Sequence, residues 1–537
     1  MREVKVLCLS KMMLISSPPC IFHGLKSLRA LYLYECILED IAIVGELKNL
    51  EILSVHQSGI KQLPSEIGRL RRLKMLVLKH CTSLKVIPPR VISNLICLEE
   101  LDMEGSFTNW EVEARCNTKS CNASLAELNE LPNKRSLCIS IPYSETLSTG
   151  MIFSFFEKLQ RFKIDMGQRS FYPFNSLYHY PQNLVLKSWT WIGYRGLENG
   201  IRMLVEKVQT LELNAVNGVK NVFHDLNAKG FPNLEVLYLR DLNNLVHICR
   251  GPFTEESFCK LRIVRVSKCE RLKNVFPFSM RKVIRQLVEI SVSNCKSMEE
   301  IVSSEREAEN LEPELDDINE FTQLRYLKMV DLPALISFCS MEMISSTSQG
   351  INEKLTNATE IKEIDVARKY ENSLPLFSDK VLFPNLEILK LRGMERKIWD
   401  HQIPANFFSK LKLLVVINCH KLVTIFSSDL ARNFQSLETL TVRNCILVEE
   451  IFYFQEQRDG KTLARGIPCH LKYLRLEKLP KLKHICNGNH KGVLRIFQDL
   501  KDVEVRECEN LNYIFPASLA KYLGQLERLE IISSGIT

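Results

Sequence analysis

The chain has 537 residues, 45% of them hydrophobic and 25% charged, with a net charge of +8. That balance supports a large buried core and excludes a disordered chain. Its longest apolar runs, such as Leu413 to Ile417, fall far short of the roughly 18–20 residues of a membrane helix, so no membrane segment is expected.

The opening Met1-Arg2-Glu3-Val4-Lys5 interleaves charge with apolar residues and makes a poor secretory leader. No block of consecutive basic residues of the kind carried by nucleic-acid tails is present, so no nucleic-acid partner is expected.

The first elements set a pattern. Leu28, Leu31, Leu33 and Cys36 are followed by Leu50, Leu53 and Val55, then Leu73, Leu76, Leu78, Cys81, Leu84 and Ile87, then Leu98, Leu101 and Met103. A polar, irregular stretch at 104–124 interrupts them. From 125 to 210 the rhythm is loose, kept by Leu128, Leu131, Leu137 with Ile139, and Leu159 with Phe162 and Ile164, until Val208, Leu211 and Leu213 restore it.

It continues through Leu234-Leu237-Leu239, Leu261-Val264-Val266-Cys269-Leu272 and Leu287-Ile290-Val292-Cys295. An acidic stretch, 303–320, precedes Leu324-Leu327-Met329, and a Ser-, Thr-, Asn- and Glu-rich stretch, 340–382, precedes Leu386-Leu389-Leu391. Then come Leu411-Leu414-Val416-Cys419-Leu422-Ile425 and Leu437-Leu440-Val442-Cys445. A polar segment, 455–467, separates these from Leu471-Leu474-Leu476, Leu500-Val503-Val505-Cys508-Leu511 and Leu526-Leu529-Ile531. The four interruptions read as surface loops.

In each unit the last two apolar residues alternate, so both point to one side of a short strand, joined by the leucine three residues earlier. One unit has too little apolar surface to fold alone, whereas stacked units share a continuous core. Where spacing is regular, starts lie roughly 22–29 residues apart, the period of leucine-rich repeats. The expected fold is therefore an α/β repeat, a leucine-rich-repeat solenoid (horseshoe). Its parallel β-sheet would line the concave face, with an irregular or short-helical convex side. The expected segments are N-terminal repeats over 1–124, irregular repeats over 125–210 and C-terminal repeats over 211–537.

Of the 18 cysteines, seven recur at one repeat position. Equivalent positions in a parallel stack face the same way, so small buried thiols are expected there, not bridges, in a reducing intracellular setting. The triplets Asn122-Ala123-Ser124 and Asn357-Ala358-Thr359 then read as chance glycosylation matches.

Further motifs narrow the class. Cysteine-bearing repeats run into an apolar-Phe turn at Val275-Phe276-Pro277, Ile425-Phe426-Ser427 and Ile514-Phe515-Pro516. Glu299-Glu300-Ile301 and Glu449-Glu450-Ile451 close the repeats that follow the first two, and Phe-Pro-Asn-Leu-Glu opens repeats at Phe231 and Phe383. Near the start stand Leu63-Pro64-Ser65-Glu66-Ile67-Gly68 and, later, Trp110-Glu111.

Together these resemble the C-terminal repeats of plant coiled-coil, nucleotide-binding, leucine-rich-repeat disease-resistance proteins, over nearly the whole chain. The resemblance implies a cytoplasmic immune receptor whose repeats sense a pathogen effector or a guarded host protein. It also implies that they restrain the receptor's own nucleotide-binding domain. Those three are the implied partners, all protein.

The chain departs from the family in lacking the signalling and nucleotide-binding domains. Gly460-Lys461-Thr462 is the nearest approach to a phosphate loop, and Gln455 stands where its first glycine belongs. The chain begins near the start of a repeat region and stops at Ile531-Ile532-Ser533-Ser534, which points to a fragment. The alternative is a repeat-type substrate receptor of a ubiquitin ligase, whose repeats typically follow cysteine with Ile-x-Asp-x-Gly-Leu; here the run is Leu-x-x-Ile-Phe. An extracellular ectodomain would carry Asn-x-Ser-Gly-x-Ile-Pro turns and a leader.

No catalytic, cofactor or metal site is expected. Cys469, His470, His484, Cys486 and His490 cluster in sequence as zinc ligands would. However, Leu482-Lys-His484-Ile-Cys486 echoes Leu245-Val-His247-Ile-Cys249, so a repeat position explains the element better. Cys116 and Cys121 stay unassigned. Neither a Gly-x-Ser-x-Gly elbow nor a His-Glu-x-x-His pair occurs, which favours a binder over an enzyme.

The open sheet face carries Arg240, Arg265, Lys328, Lys390, Arg392, Arg443, Arg475 and Arg506, with Glu477 and Glu504 as acidic exceptions. Two readings stay open: an ordinary solvated face, or a basic stripe that docks an acidic partner surface or a sibling domain.

Overall fold

The structure is a computed structural model. It describes residues 3–535 except 15–21, 23, 39, 112–121, 142–154, 168–181, 188–201, 228–229, 251–255, 278–279, 304–318, 340–374, 378–380, 400–402, 404–406, 428–432, 454–469, 487–495, 517–518 and 520–521. The expected loop 455–467, most of the loops at 303–320 and 340–382, Asn357, Cys116, Cys121 and Gly460-Lys461-Thr462 lie outside the described residues.

Two compact units are formed. The first holds residues 1–219, 223–242 and 253–259; the second holds 220–222, 243–252 and 260–537.

In the first unit ten described strands of one sheet follow one another. They are β1 (Val6–Ser10), β2 (Ala30–Tyr34), β3 (Ile52–His56), β4 (Met75–Val77), β5 (Glu100–Asp102), β6 (Ser136–Ile141), β7 (Arg161–Gly167), β8 (Gln182–Lys187), β9 (Thr210–Asn214) and β10 (Val236–Arg240). Each pairs in parallel with the next.

The second unit repeats this with β11 (Ile263–Ser267), β12 (Glu289–Ser293), β13 (Tyr326–Val330), β14 (Ile388–Arg392), β15 (Leu413–Ile417), β16 (Thr439–Arg443), β17 (Tyr473–Glu477), β18 (Asp502–Arg506) and β19 (Arg528–Ile532). There the leucine positions pair across neighbours in one unbroken row, including Leu327 with Leu389, Leu389 with Leu414 and Leu414 with Leu440. Burial alternates along β13 to β18 as the period of two requires, with Leu389, Leu414 and Leu440 fully buried.

The loosely patterned region is built from longer strands. β6 and β7 each turn three apolar residues inward, Leu137-Ile139-Ile141 and Phe162-Ile164-Met166. Leu137 pairs with Phe162, but Leu184 pairs with Ile164. The ladder has stepped by two residues, an even number, so every side chain keeps its face. The extra inward residue makes the step possible, and it blurs the leucine period in the sequence.

Each regular strand ends in a corner whose residue, four after the first strand apolar, is left-handed. Examples are Glu35 (φ 51), His80 (φ 54), Lys268 (φ 53), Asn418 (φ 54) and Asn444 (φ 50), with Gly393 (φ 65) after β14. Non-glycine residues hold this conformation at a cost of about 1 kcal/mol or more. The corner N–H offsets that cost by donating to the next strand's end, as from Lys268 to the Ser293 carbonyl (2.9 Å) and from Asn418 to that of Arg443 (3.0 Å).

The residue after the corner is the recurrent cysteine. Cys36, Cys81, Cys269, Cys295, Cys419, Cys445 and Cys508 are buried, free thiols. Each donates to the carbonyl two residues back, for example Cys445 to Arg443 at 3.3 Å and Cys36 to Tyr34 at 3.4 Å. Ser58 takes the same place and donates to the His56 carbonyl at 3.0 Å. The position therefore selects a small donor that caps a strand end.

The return limb differs between units. In the first it includes short 3-10 helices at Ala42–Glu46, Ser65–Arg69 and Leu125–Glu130. The first also has a two-residue parallel pair, Met13–Leu14 with Ile37–Leu38, whereas the second has two three-stranded parallel ladders, Asn274–Phe276, Glu300–Val302 and Ser337–Cys339, and Thr424–Ser427, Glu450–Tyr453 and His484–Cys486, besides the pair Asn319–Glu320 with Val381–Leu382. Val275-Phe276 and Ile425-Phe426, expected as turns, are strand residues instead. Their phenylalanines point into the core and their backbones gain ladder partners from the neighbouring repeat.

Phe426 also joins an aromatic spine. Phe383 lies 5.3 Å from Phe321, 5.1 Å from Phe338 and 5.5 Å from Phe407 between ring centroids. Farther along, Trp399 meets Phe434 at 5.7 Å and Phe426 stacks on Phe452 at 5.0 Å.

Candidate binding surface

Each strand offers three positions to the open face of its sheet: the first residue, the one between the two inward apolars, and the one after them. In-register pairing turns these positions into rows. In the second unit the middle row reads Arg265, Ser291, Lys328, Lys390, Val415, Thr441, Arg475, Glu504 and Glu530. Seven of the eight expected basic residues stand on this unit's face, and Arg240 stands at the end of β10 in the first unit.

Most of these cations face a carboxylate. Arg265 holds Glu289 through two contacts, 2.6 and 3.0 Å. Arg240 lies 3.2 Å from Asp241, Arg443 2.7 Å from Glu477 and Arg475 3.4 Å from Glu504. Arg506 reaches Glu530 at 2.7 Å, and Arg392 stands 3.6 Å from Asp331.

Lys328 and Lys390 differ. They are register partners on β13 and β14, and among the described residues neither has a carboxylate within ion-pair distance. The ammonium of Lys390 sits 5.4 Å over the Tyr326 ring. Beside them the floor becomes aliphatic. Ile388, Leu413, Val415 and Ile417 occupy open-face positions and are half-buried.

The first unit's face carries a second polar group, which the sequence reading passed over. Tyr34 stacks on His56 at 5.0 Å, and His56 meets His80 edge-on at 5.6 Å. Burial, helped by His80 and Lys79, pushes the His56 pKa below its ordinary value. Next to them, Glu104 is bracketed by Lys79 (2.5 Å) and Lys163. Burial alone would raise its pKa, yet the two ammonium groups prevail and hold it down at about 2. The same positional rule finds these residues, since Asp102 lies between strand apolars and Lys79 and Glu104 follow them.

Among the described residues, Asp102, Glu104 and Cys138 bring potential metal-ligand atoms within 4.8 Å of one another. Burial, reinforced by the two carboxylates, drives the Cys138 pKa far up and keeps it a protonated thiol. Two lysines already supply the positive charge that Glu104 faces. The group is an ion-pair cluster, and its chemistry does not suit a cation.

The zinc-like residues have other engagements. His470 contacts Asp499 at 2.8 Å, the His484 ring packs 5.0 Å from Tyr513, and burial raises the buried Cys486 thiol to about 12. Cys469 and His490 lie outside the described residues. Among the described residues, no helix is long and apolar enough to cross a membrane.

The family described as plant disease resistance protein RPS2-like, leucine-rich repeats, matches residues 199–296, 232–349 and 385–535. The chain belongs to this family. The repeats are similar to those of the Arabidopsis thaliana disease resistance protein At4g27190, 25% identical over 370 residues, 63% of this chain and 36% of that protein. The probable disease resistance protein At4g27220 of the same plant is 32% identical over 136 residues, covering 24% of this chain and 14% of the relative. The chain thus spans about a third or less of these resistance proteins. Among solved structures, a leucine-rich-repeat protein of Leptospira interrogans aligns over 100% of this chain and 89% of its own, with 14% identity and a TM-score of 0.35.

Proposed function

We propose that this chain is the protein-recognition and autoinhibitory part of a cytoplasmic plant immune receptor, acting by binding and not by catalysis. Its partners on this reading are a pathogen effector or guarded host protein, and the receptor's own nucleotide-binding domain. The observation that carries the proposal is the row of open-face positions on a continuous parallel ladder, in a chain of the resistance-protein repeat family. Leucine-packed interiors fix the backbone there while the open-face side chains vary from strand to strand, which suits a binding surface.

The test is a charge reversal that leaves the core alone. Arg392, Arg443 and Arg475 have side chains about half exposed (51%, 48% and 56%), so changing all three to Glu leaves the fold standing. The full chain, expressed in leaf tissue, is compared with the triple variant for co-purifying proteins and for its melting curve. Loss of specific partners at an unchanged melting temperature supports the proposal. An identical partner set sinks it.

A further inference from the structure

Opposite charges meet along most of the second unit's open face, and the exception is local. Toward one end, Arg265 is matched by Glu289. Toward the other, Arg475, Arg506 and Arg528 are matched by Glu504, Glu530 and Asp502. Strands β13 to β16 supply four open-face cations, Lys328, Lys390, Arg392 and Arg443, and no open-face carboxylate.

Arg392 and Arg443 reach acids outside that set, Asp331 and Glu477. Lys328 and Lys390 reach none among the described residues, although they stand side by side in register. Like charges directly opposite on a sheet repel, and elsewhere on this face a nearby carboxylate relieves such charge. The lysine pair also borders the half-buried aliphatic floor formed by Ile388, Leu413, Val415 and Ile417. An apolar centre with charge at its margin is the anatomy of a protein-binding patch.

We propose that this window binds an acidic segment of a partner protein that carries a bulky apolar side chain. A carboxylate, or two, would bridge Lys328 and Lys390, while the apolar side chain covers Val415 and its neighbours. The self-neutralised flanks would shape the edges of the contact and add little to its strength, because an ion pair there must be broken before a new one forms. The proposal rests on the reading that the open face recognises protein, and names the chemistry of what it takes.

A phage-displayed library of random linear peptides, panned on the full chain, tests it. The expected winners pair Asp or Glu with Leu, Ile, Phe or Trp nearby. Their binding weakens roughly tenfold or more in the Lys328→Glu/Lys390→Glu variant and in Val415→Asp, while Lys296→Glu, an exposed change beyond the strand, changes it little. Melting curves matched to the parent protein show that the variants fold, and Lys328→Gln/Lys390→Gln separates lost attraction from new repulsion by weakening binding less.

Enriched peptides without acidic residues, or binding indifferent to the lysine changes, overturn the inference while leaving open-face recognition intact. The same holds if inorganic phosphate displaces the peptides as well as an acidic peptide does, since bare anion binding would then explain the result. Peptides that cross-link only away from the sheet face, or no enriched peptide at all, count against both readings.

Discussion

The two units share one repeat but fill it differently. The second relies on aromatic packing: Phe383 touches several rings, and the return limb is tied into ladders by Phe276 and Phe426. The first also takes ionisable groups out of water, Lys134 in its core and the half-buried Glu104 on its sheet face. Lys134 occupies the place that Leu28, Leu50, Leu73 and Leu98 hold in earlier repeats, is 2% exposed, and donates to the Leu128 carbonyl. Glu104 sits between two lysines on the same unit's face. A scaffold stable through apolar contact is sensitive to cavities and little affected by pH, whereas one that also holds buried charge is sensitive to pH as well.

The largest expected effect is on the aromatic side of that contrast. Phe383→Ala should destabilise the second unit by about 3–5 kcal/mol through cavity formation. Hydrogen exchange resolved by segment should show the loss around β13 to β15, with the first unit's strands β2 to β5 unchanged.

Next comes Lys134. Burial, with Lys158 nearby, lowers its pKa from 10.5 to about 7. The unfolded chain therefore binds more protons between pH 7 and 10.5, and stability rises with pH across that window. Below pH 7 both states are protonated and the burial cost is fully present. Lys134→Met should stabilise the first unit at pH 6, by up to about 4 kcal/mol, and the gain should vanish near pH 10.5. A gain of equal size at both pH values would contradict this account.

Glu104 gives the opposite dependence. Its folded pKa of about 2 lies below the ordinary 4.5, so its contribution is complete above pH 4.5 and is lost as pH falls toward 2. The loss is about 3 kcal/mol, and Glu104→Gln should remove that part of the acid sensitivity in a urea-melt series. The second unit's melt should not respond to this change.

The smallest effect compares the same cap in both units. Cys445→Ser should stay within about 1 kcal/mol of the parent, because Ser58 already performs that role, whereas Cys445→Val should cost more by removing one of the two donors to the Arg443 carbonyl, the other being the Asn418 N–H.

The leucine and cysteine positions were legible in the sequence because stacking demands the same residue class at every turn. Asn418 and Asn444 hinted at left-handed corners, but Glu35 and Lys268 adopt them only because the ladder supplies a partner for their N–H groups. The lateral ladders leave no such mark, since Val275-Phe276 is too short to alternate and its pairing partner lies a whole repeat away. Charge on the open face could be located but not balanced. Arg443 finds Glu477 on the neighbouring strand, far along the sequence, and nothing local distinguishes that matched arginine from the unmatched Lys328 and Lys390.

The central claim is that recognition occurs on the open sheet face. A photo-crosslinking residue at Val415, on that face, can be compared in leaf cells with one at Val423, which is 51% exposed in the return limb of the same repeat. The account predicts discrete cross-linked partners from Val415 and only diffuse background from Val423. Specific products from Val423, with none from Val415, would contradict it.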